Sequence, residues 1–333
     1  MTKKEVNKNR KQRKILLAII MLLFTGIVLS ASTYAWFTAN RTVTVESIDV
    51  NVSTSEGLQI STDAVDWKSI VTNADITGAS WNGVKNQLPD GGNGKYAVPV
   101  STVGNVAEGY MEMYKGTVET DEGTAKNYLS SVKSVEKNGN EGDFVAFDLF
   151  FQSAVAQKVY LTSNSKVVAK DGTTSTGIEN AARVAFIKNG SVGYGSSAQQ
   201  AQELKGNELS LIWEPNMDTH TPAAINNAQN IYGVTIGANH PKITYKGVKA
   251  EFTMGEKVEL TSQDTAKFGD VTTVGTPSTG IPTNKYQEAF EVAEGVTKIR
   301  IYLWVEGQDY DCEDKASGGN ISYNLQFSID QAA

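Results

Sequence analysis

The stretch TKIRIYLWV, Thr297–Val305, alternates without a break: Ile299, Ile301, Leu303 and Val305 fall on one side, Lys298, Arg300, Tyr302 and Trp304 on the other. Strand side chains point to opposite faces with a period of two, so this reads as a strand with one buried and one half-exposed face. Ile321–Ile329 (ISYNLQFSI) repeats the pattern, with Ile321, Tyr323, Leu325, Phe327 and Ile329 together. The simplest connection through Glu306–Asn320 makes the two an antiparallel pair. Upstream, Phe144–Phe151 is apolar on both sides, which predicts a central strand covered on both faces, with Gln157–Leu161 as its neighbour.

Further out, Tyr96–Val103, Leu209–Trp213, Ala250–Thr253 and Lys257–Leu260 read as short strands. Ile178–Ile187 reads as a short helix running into a strand, and Ala198–Leu204 as a helical turn. Thr62–Gly94 and Met217–Gln229 read as loop, and Thr117–Gly142 as a polar surface excursion. No βαβ rhythm and no repeat of 20–50 residues occurs. Together these predict an all-β chain: an antiparallel β-sandwich, jelly-roll-like, with short helical insertions and long loops.

The N-terminus is a different kind of sequence. Lys3–Lys14 carries seven Lys/Arg against Glu5 alone, and Ile15–Leu29 is 15 residues without a charge. A basic segment, an apolar core and small residues after it make a secretory leader. Thr33-Tyr34-Ala35 places small residues three and one before a cut between Ala35 and Trp36. The alternative is an uncut membrane anchor: counting through the weakly polar Ser30–Ala39 gives 25 residues, against the about 20 a span needs, with Tyr34, Trp36 and Phe37 as an outer aromatic belt. The expected division is a leader over 1–35, an N-terminal arm over 36–47 and a β-sandwich over 48–333.

Thr33-Tyr34-Ala35-Trp36-Phe37, after such a leader and before a Thr/Val strand, resembles the SipW-type signal region of the TasA/camelysin family; Leu325-Gln326-Phe327-Ser328 adds a weaker likeness near the other end. The resemblance implies secreted Gram-positive proteins of the biofilm matrix and cell surface, the same sandwich fold, and fibres assembled through an N-terminal arm. It is strongest over Lys14–Val52, and between the two ends the chain has no residue-level match to the fibre protein itself.

The whole chain has a formal charge of −7. Removing residues 1–35 takes away seven bases and one acid, leaving 23 Lys/Arg against 36 Asp/Glu and a net charge of −13. So acidic a chain is a poor partner for nucleic acid, whose phosphates require a basic face. Membrane contact is expected only through the leader, with signal peptidase as the partner during export. Cys312 is the only cysteine, which excludes an internal disulfide and any multi-cysteine zinc site.

In Arg41–Val52 (RTVTVESIDVNV) the apolar side changes: Val43 and Val45 are odd, Ile48, Val50 and Val52 are even. Either a β-bulge sits at Glu46-Ser47, or Trp36–Val45 is an arm with its own register that pairs with a neighbouring subunit. Under the second reading Phe37, Val43 and Val45 are the plug residues. No H-E-x-x-H, G-x-S-x-G, Walker or Rossmann motif stands in the required context, and His220 and His240 read as loop residues, so no enzyme is expected. The acidic run Glu306–Asp314 offers Asp309, Asp311 and Glu313 to a Ca²⁺ ion, against the plainer reading of a solvated loop. No other cofactor is expected. The leading functional expectation is a self-assembling subunit of an extracellular fibre or cell-surface layer. The alternative is a surface module, Ca²⁺-dependent or not, that binds cell-wall or host glycans through Trp67, Trp81, Trp213 or Trp304.

Overall fold

The computed structural model describes residues 36, 42–53, 57–81, 84–89, 95–121, 123–124, 126–170, 173–236, 244–262 and 264–331. The chain is an all-β sandwich. One sheet has six strands in the order Leu58–Ser61, Val145–Ser153, Gly295–Val305, Ala182–Val192, Glu208–Glu214, Val274–Gly275. The other is built around Asn320–Ser328, which lies beside Val43–Val52 and also pairs with Gln157–Leu161 and Lys166–Ala169. Between the sheets, Phe147, Leu149, Phe151, Ile299, Ile301 and Leu303 meet Ile48, Val50, Ile321, Leu325 and Phe327.

The six-stranded sheet is buried on its outer face as well. Met113–Asp121 and Lys126–Ser134 form a long hairpin, extended by Val100–Ser101 and Val258–Glu259 into a third layer. Met111, Met113 and Val100 pack on Phe144, Ala146, Ala185, Tyr302 and Trp304. The stretch expected to be a polar excursion is therefore a structural layer. It also explains why Lys298, Arg300, Tyr302 and Trp304, expected to be half exposed, are all buried. Val145–Ser153 lies inside its sheet with both faces covered, as its two apolar faces require.

Two pairings differ from expectation. Gly295–Val305 and Asn320–Ser328 belong to different sheets, so the loop between them crosses from one sheet to the other. Gln157–Leu161 likewise leaves the sheet of Val145–Ser153 and pairs with Gln287–Val292. Each strand carries one apolar face that suits either sheet, so alternation alone does not select the partner. Helices are short: Asn73–Gly78, capped by Thr72 and Asp75; Ala198–Gln202, capped by Ser197 and Gln200; and Pro222–Asn230, which begins inside a segment expected to be loop. Ile178–Ala181 is a 3₁₀ turn leading into Ala182–Val192, close to the expected helix-to-strand passage.

The change of face at Glu46-Ser47 is a bulge. Val45 pairs with Ile321 and Ser47 with Ser322, so Glu46 is the extra residue. Inserting one residue restores a common face, and Val43, Val45, Ile48, Val50 and Val52 all enter the same core. The expected boundary between an arm ending at 47 and a domain starting at 48 is therefore crossed by one continuous strand, Val43–Val52, paired parallel with the C-terminal strand of its own chain.

Candidate functional site

The crossing from Val305 to Asn320 carries the acidic run inward. Glu306, Asp309, Asp311 and Glu313 are all buried. The alternative of a solvated acidic loop is thus set aside, because each carboxylate has a fixed protein donor. Arg183, on the neighbouring strand and fully buried, donates from Nη2 to Asp309 Oδ2 at 2.5 Å and to Glu214 Oε1 at 3.2 Å. Its Nη1 donates to the carbonyls of Asn180 and Ala182. Asp309 Oδ1 accepts from the Asp311 N–H at 2.9 Å. Asp311 faces His220 Nδ1 at 2.6 Å and accepts from the Thr221 N–H at 2.9 Å. Thr221 caps the Pro222–Asn230 helix and donates its hydroxyl to Glu313 at 3.0 Å. Two carboxylates therefore sit at a helix N-terminus, where its dipole favours negative charge.

Glu306 completes the ring. Its carboxylate accepts from the Trp304 indole at 3.2 Å and from the Gln308 N–H at 3.1 Å. Burial pushes Glu306 up to about 7, against hydrogen bonds from Ser101 and the attraction of Arg183. Burial pushes Asp309 up to about 6, opposed by Arg183 and reinforced by Asp311. Among the described residues, Arg183 and His220 are the basic side chains seen bonding these carboxylates.

Trp36 lies against this loop. Its indole is 1% exposed and its Nε1 donates to Gln308 Oε1 at 3.2 Å. The slot exists because two glycines line it: a Cβ at Gly307 would lie 2.5 Å from the ring, and one at Gly116 would lie 2.9 Å from it. Tyr114, Leu129, Phe252 and Phe268 complete this second core. Burial holds the ionisation of the Cys312 thiol far above its ordinary range, with the Trp36 main chain acting in the opposite direction.

A second charged cluster lies on the outer face of the six-stranded sheet. Arg300 bonds Asp148 at 2.6 Å and also Glu136, while Lys298 bonds Asp148 at 3.1 Å and the carbonyls of Gln202 and Leu204. Burial lowers the Lys298 ammonium, with Asp148 opposing. Both oxygens of Asp148 are engaged, as are the three ammonium hydrogens of Lys298, so the cluster reads as a satisfied structural network.

No family model, no curated protein and no solved structure matches this chain.

Of the residues singled out from sequence, Ala35 and Phe37 lie outside the described residues, as does His240. Val43 and Val45, expected as plugs for a neighbour, are buried in the core of their own chain. Asp309, Asp311 and Glu313 stay close in sequence but turn to Arg183, to His220 with Thr221, and to Thr221 respectively. Among the described residues no group of three or more His, Cys, Asp or Glu is arranged to hold a metal ion. Sequence reading missed Arg183, Glu214, Gly116 and Gly307, and it dismissed His220. One signal was present: Tyr310 and Cys312 interleave the acids, and a freely solvated acidic loop has no use for them.

Proposed function

We propose that the chain is an exported structural subunit of an extracellular fibre or cell-surface layer, in which the segment Trp36–Val45 passes from one copy to the next. The observation that carries this reading is the seat of Trp36, an aromatic plug in a two-glycine slot, next to a strand whose first residues pair with residues 95–97 and 320–321. Such a terminal element makes the same contacts in cis or in trans, so exchange between copies costs little. The bulge at Glu46 supplies a hinge between the exchanged part and Ile48–Val52. A head-to-tail exchange that does not close on itself grows a filament. The likeness of the leader region to the TasA/camelysin family supports export and assembly, and the acidic surface left by leader removal suits a secreted protein.

A mixing experiment tests it. The processed chain forms high-mass species by electron microscopy and sedimentation. Trp36→Ala lacks the plug and Gly307→Ala blocks the slot, so each alone stays monomeric. Their equimolar mixture gives heterodimers and nothing larger, because only one of the two possible junctions is intact. A processed wild-type chain that stays monomeric overturns the assembly reading.

A second reading, a surface module for glycans, has its own observation. A cleft of about 690 Å³ is lined by Gln59, Trp67, Lys68, Ile70, Gln152 and Tyr194. Gln59 and Gln152 are directly opposed across two strands and share a face. Ile70 and Tyr194 are exposed and Trp67 is half-buried at this cleft, whereas Trp213 and Trp304 are buried and Trp81, also buried, lines a separate cleft beside Lys298 and Arg300. Saturation-transfer NMR with neutral oligosaccharides, lost in Trp67→Ala, would favour this reading.

A further inference from the structure

We infer that the cleft of Trp67 and Tyr194 holds a neutral sugar chain that carries N-acetyl groups. This rests on the glycan reading above and names the class of sugar. Three features of the cleft point to it.

The first is its place on the sheet. Outward-facing residues of the six-stranded sheet fall into rows that cross the strands. The row of Ala146 and Tyr302 lies under the third layer, and Glu136 reaches Arg300 in the row of Asp148. Trp81 packs edge to face on Phe150 in the row after that. The following row is Gln59, Gln152, Val296 and Val192, directly opposed on four neighbouring strands. Here the covering stops, for Gln59 is exposed and Gln152 half-buried. With neighbouring strands about 4.8 Å apart, the row runs roughly 14 Å, longer than a single sugar ring.

The second is what the cleft presents. Trp67 belongs to the cluster of Val192, Val296, Trp81 and Phe150, which holds its ring in place, and Tyr194 stands exposed beside it. Rigid aromatic rings take the C–H faces of sugars at little cost in conformational freedom. Among the described residues, the amides of Gln59 and Gln152, the Trp67 indole N–H and the hydroxyls of Ser69 and Tyr194 bond no other protein group. Each glutamine amide thus keeps two donors and a carbonyl acceptor for a ligand.

The third is the chemistry of the wall. Lys68 alone among the described lining residues is charged, and it is paired with Asp75 at 2.5 Å. A phosphate, sulfate or uronate therefore finds no free cation there. Leu58, Ile70 and Ala154 line the cleft beside the two free amides. Hydroxyls alone leave that aliphatic carbon unmatched. An acetamido substituent brings an N–H, a carbonyl and a methyl together, which matches amides set next to an apolar wall.

Saturation-transfer NMR and calorimetry on the processed chain compare three soluble oligomers of equal length, built from N-acetylglucosamine, glucose and glucosamine. The N-acetylglucosamine oligomer should bind about tenfold tighter than the other two, with the strongest saturation on its acetyl methyl protons. Gln59→Leu and Gln152→Leu keep the side-chain size and remove the amide, so each should weaken binding about threefold to tenfold without moving the melting temperature. Tyr194→Ala, at an exposed position, should weaken it as well. Equal affinity for the glucose oligomer overturns the inference and leaves the glycan reading standing. Unchanged binding in the Gln59→Leu/Gln152→Leu double variant overturns the inference too, since the sugar then sits elsewhere. Binding of none of the three oligomers overturns both the inference and the glycan reading.

Discussion

Arg183 and Asp309 meet at 2.5 Å with both side chains out of water, though 126 residues separate them. The contact ties the six-stranded sheet to the loop that crosses between sheets, and Glu214 on the next strand shares the same guanidinium. Removing the cation takes the shared guanidinium away from two buried carboxylates. Arg183→Ala should therefore lose about 3–5 kcal/mol of stability, read by urea unfolding. Arg183→Lys should recover only part of it, since a point charge cannot serve two carboxylates and two carbonyls from one fork.

Glu306 makes stability fall with rising pH. Its ordinary value is 4.5 and burial raises it to about 7 in the folded chain. Between those values the folded state keeps a proton that the unfolded state has released. This contribution is therefore complete below about pH 4.5, is lost as the pH climbs through 7, and is flat above. The loss amounts to at most about 3 kcal/mol. Asp309, raised to about 6, acts in the same direction. Thermal melts from pH 4.5 to 8 should show the decline, and a shallower one in Glu306→Gln.

Deleting Glu46 and mutating it should differ sharply. Its carboxylate makes a partly exposed ion pair with Lys170 at 2.8 Å, so Glu46→Ala costs about 0–1 kcal/mol. Deletion removes the bulge and turns Val43 and Val45 to the opposite face, which loses two core side chains at once. Circular dichroism and denaturant midpoints should show a near-native protein in the first case and a severely destabilised one in the second.

Gly116→Ala tests the slot from the hairpin side. Its Cβ would meet both Trp36 and Leu129, so Trp36 is expelled or the hairpin shifts. Trp36 fluorescence should move to the red, with a destabilisation of about 1–3 kcal/mol.

Calcium should leave the melting temperature unchanged. Asp309, Asp311 and Glu313 already bond Arg183, His220 and Thr221, and a cation would have to displace those partners. Titration to millimolar Ca²⁺ and removal with a chelator are the two arms of the check.

The period-two alternation of Thr297–Val305 and Ile321–Ile329, and the double apolar face of Phe144–Phe151, determined strands, their inward residues and the sandwich class from sequence alone. That is so because strand geometry fixes which side chains share a face regardless of partner. The change of face at Glu46-Ser47 was legible too, but as two alternatives, since a bulge and an exchanged arm leave the same pattern. Only the tertiary structure decided that the two C-terminal strands lie in different sheets, that the Met113–Ser134 hairpin covers the outer face, and that the acidic run turns inward. Pairing and burial depend on contacts between residues far apart in the chain. Arg183 reaching Asp309, and Gly116 with Gly307 leaving room for Trp36, are complementarities across such distances, and no local pattern encodes them.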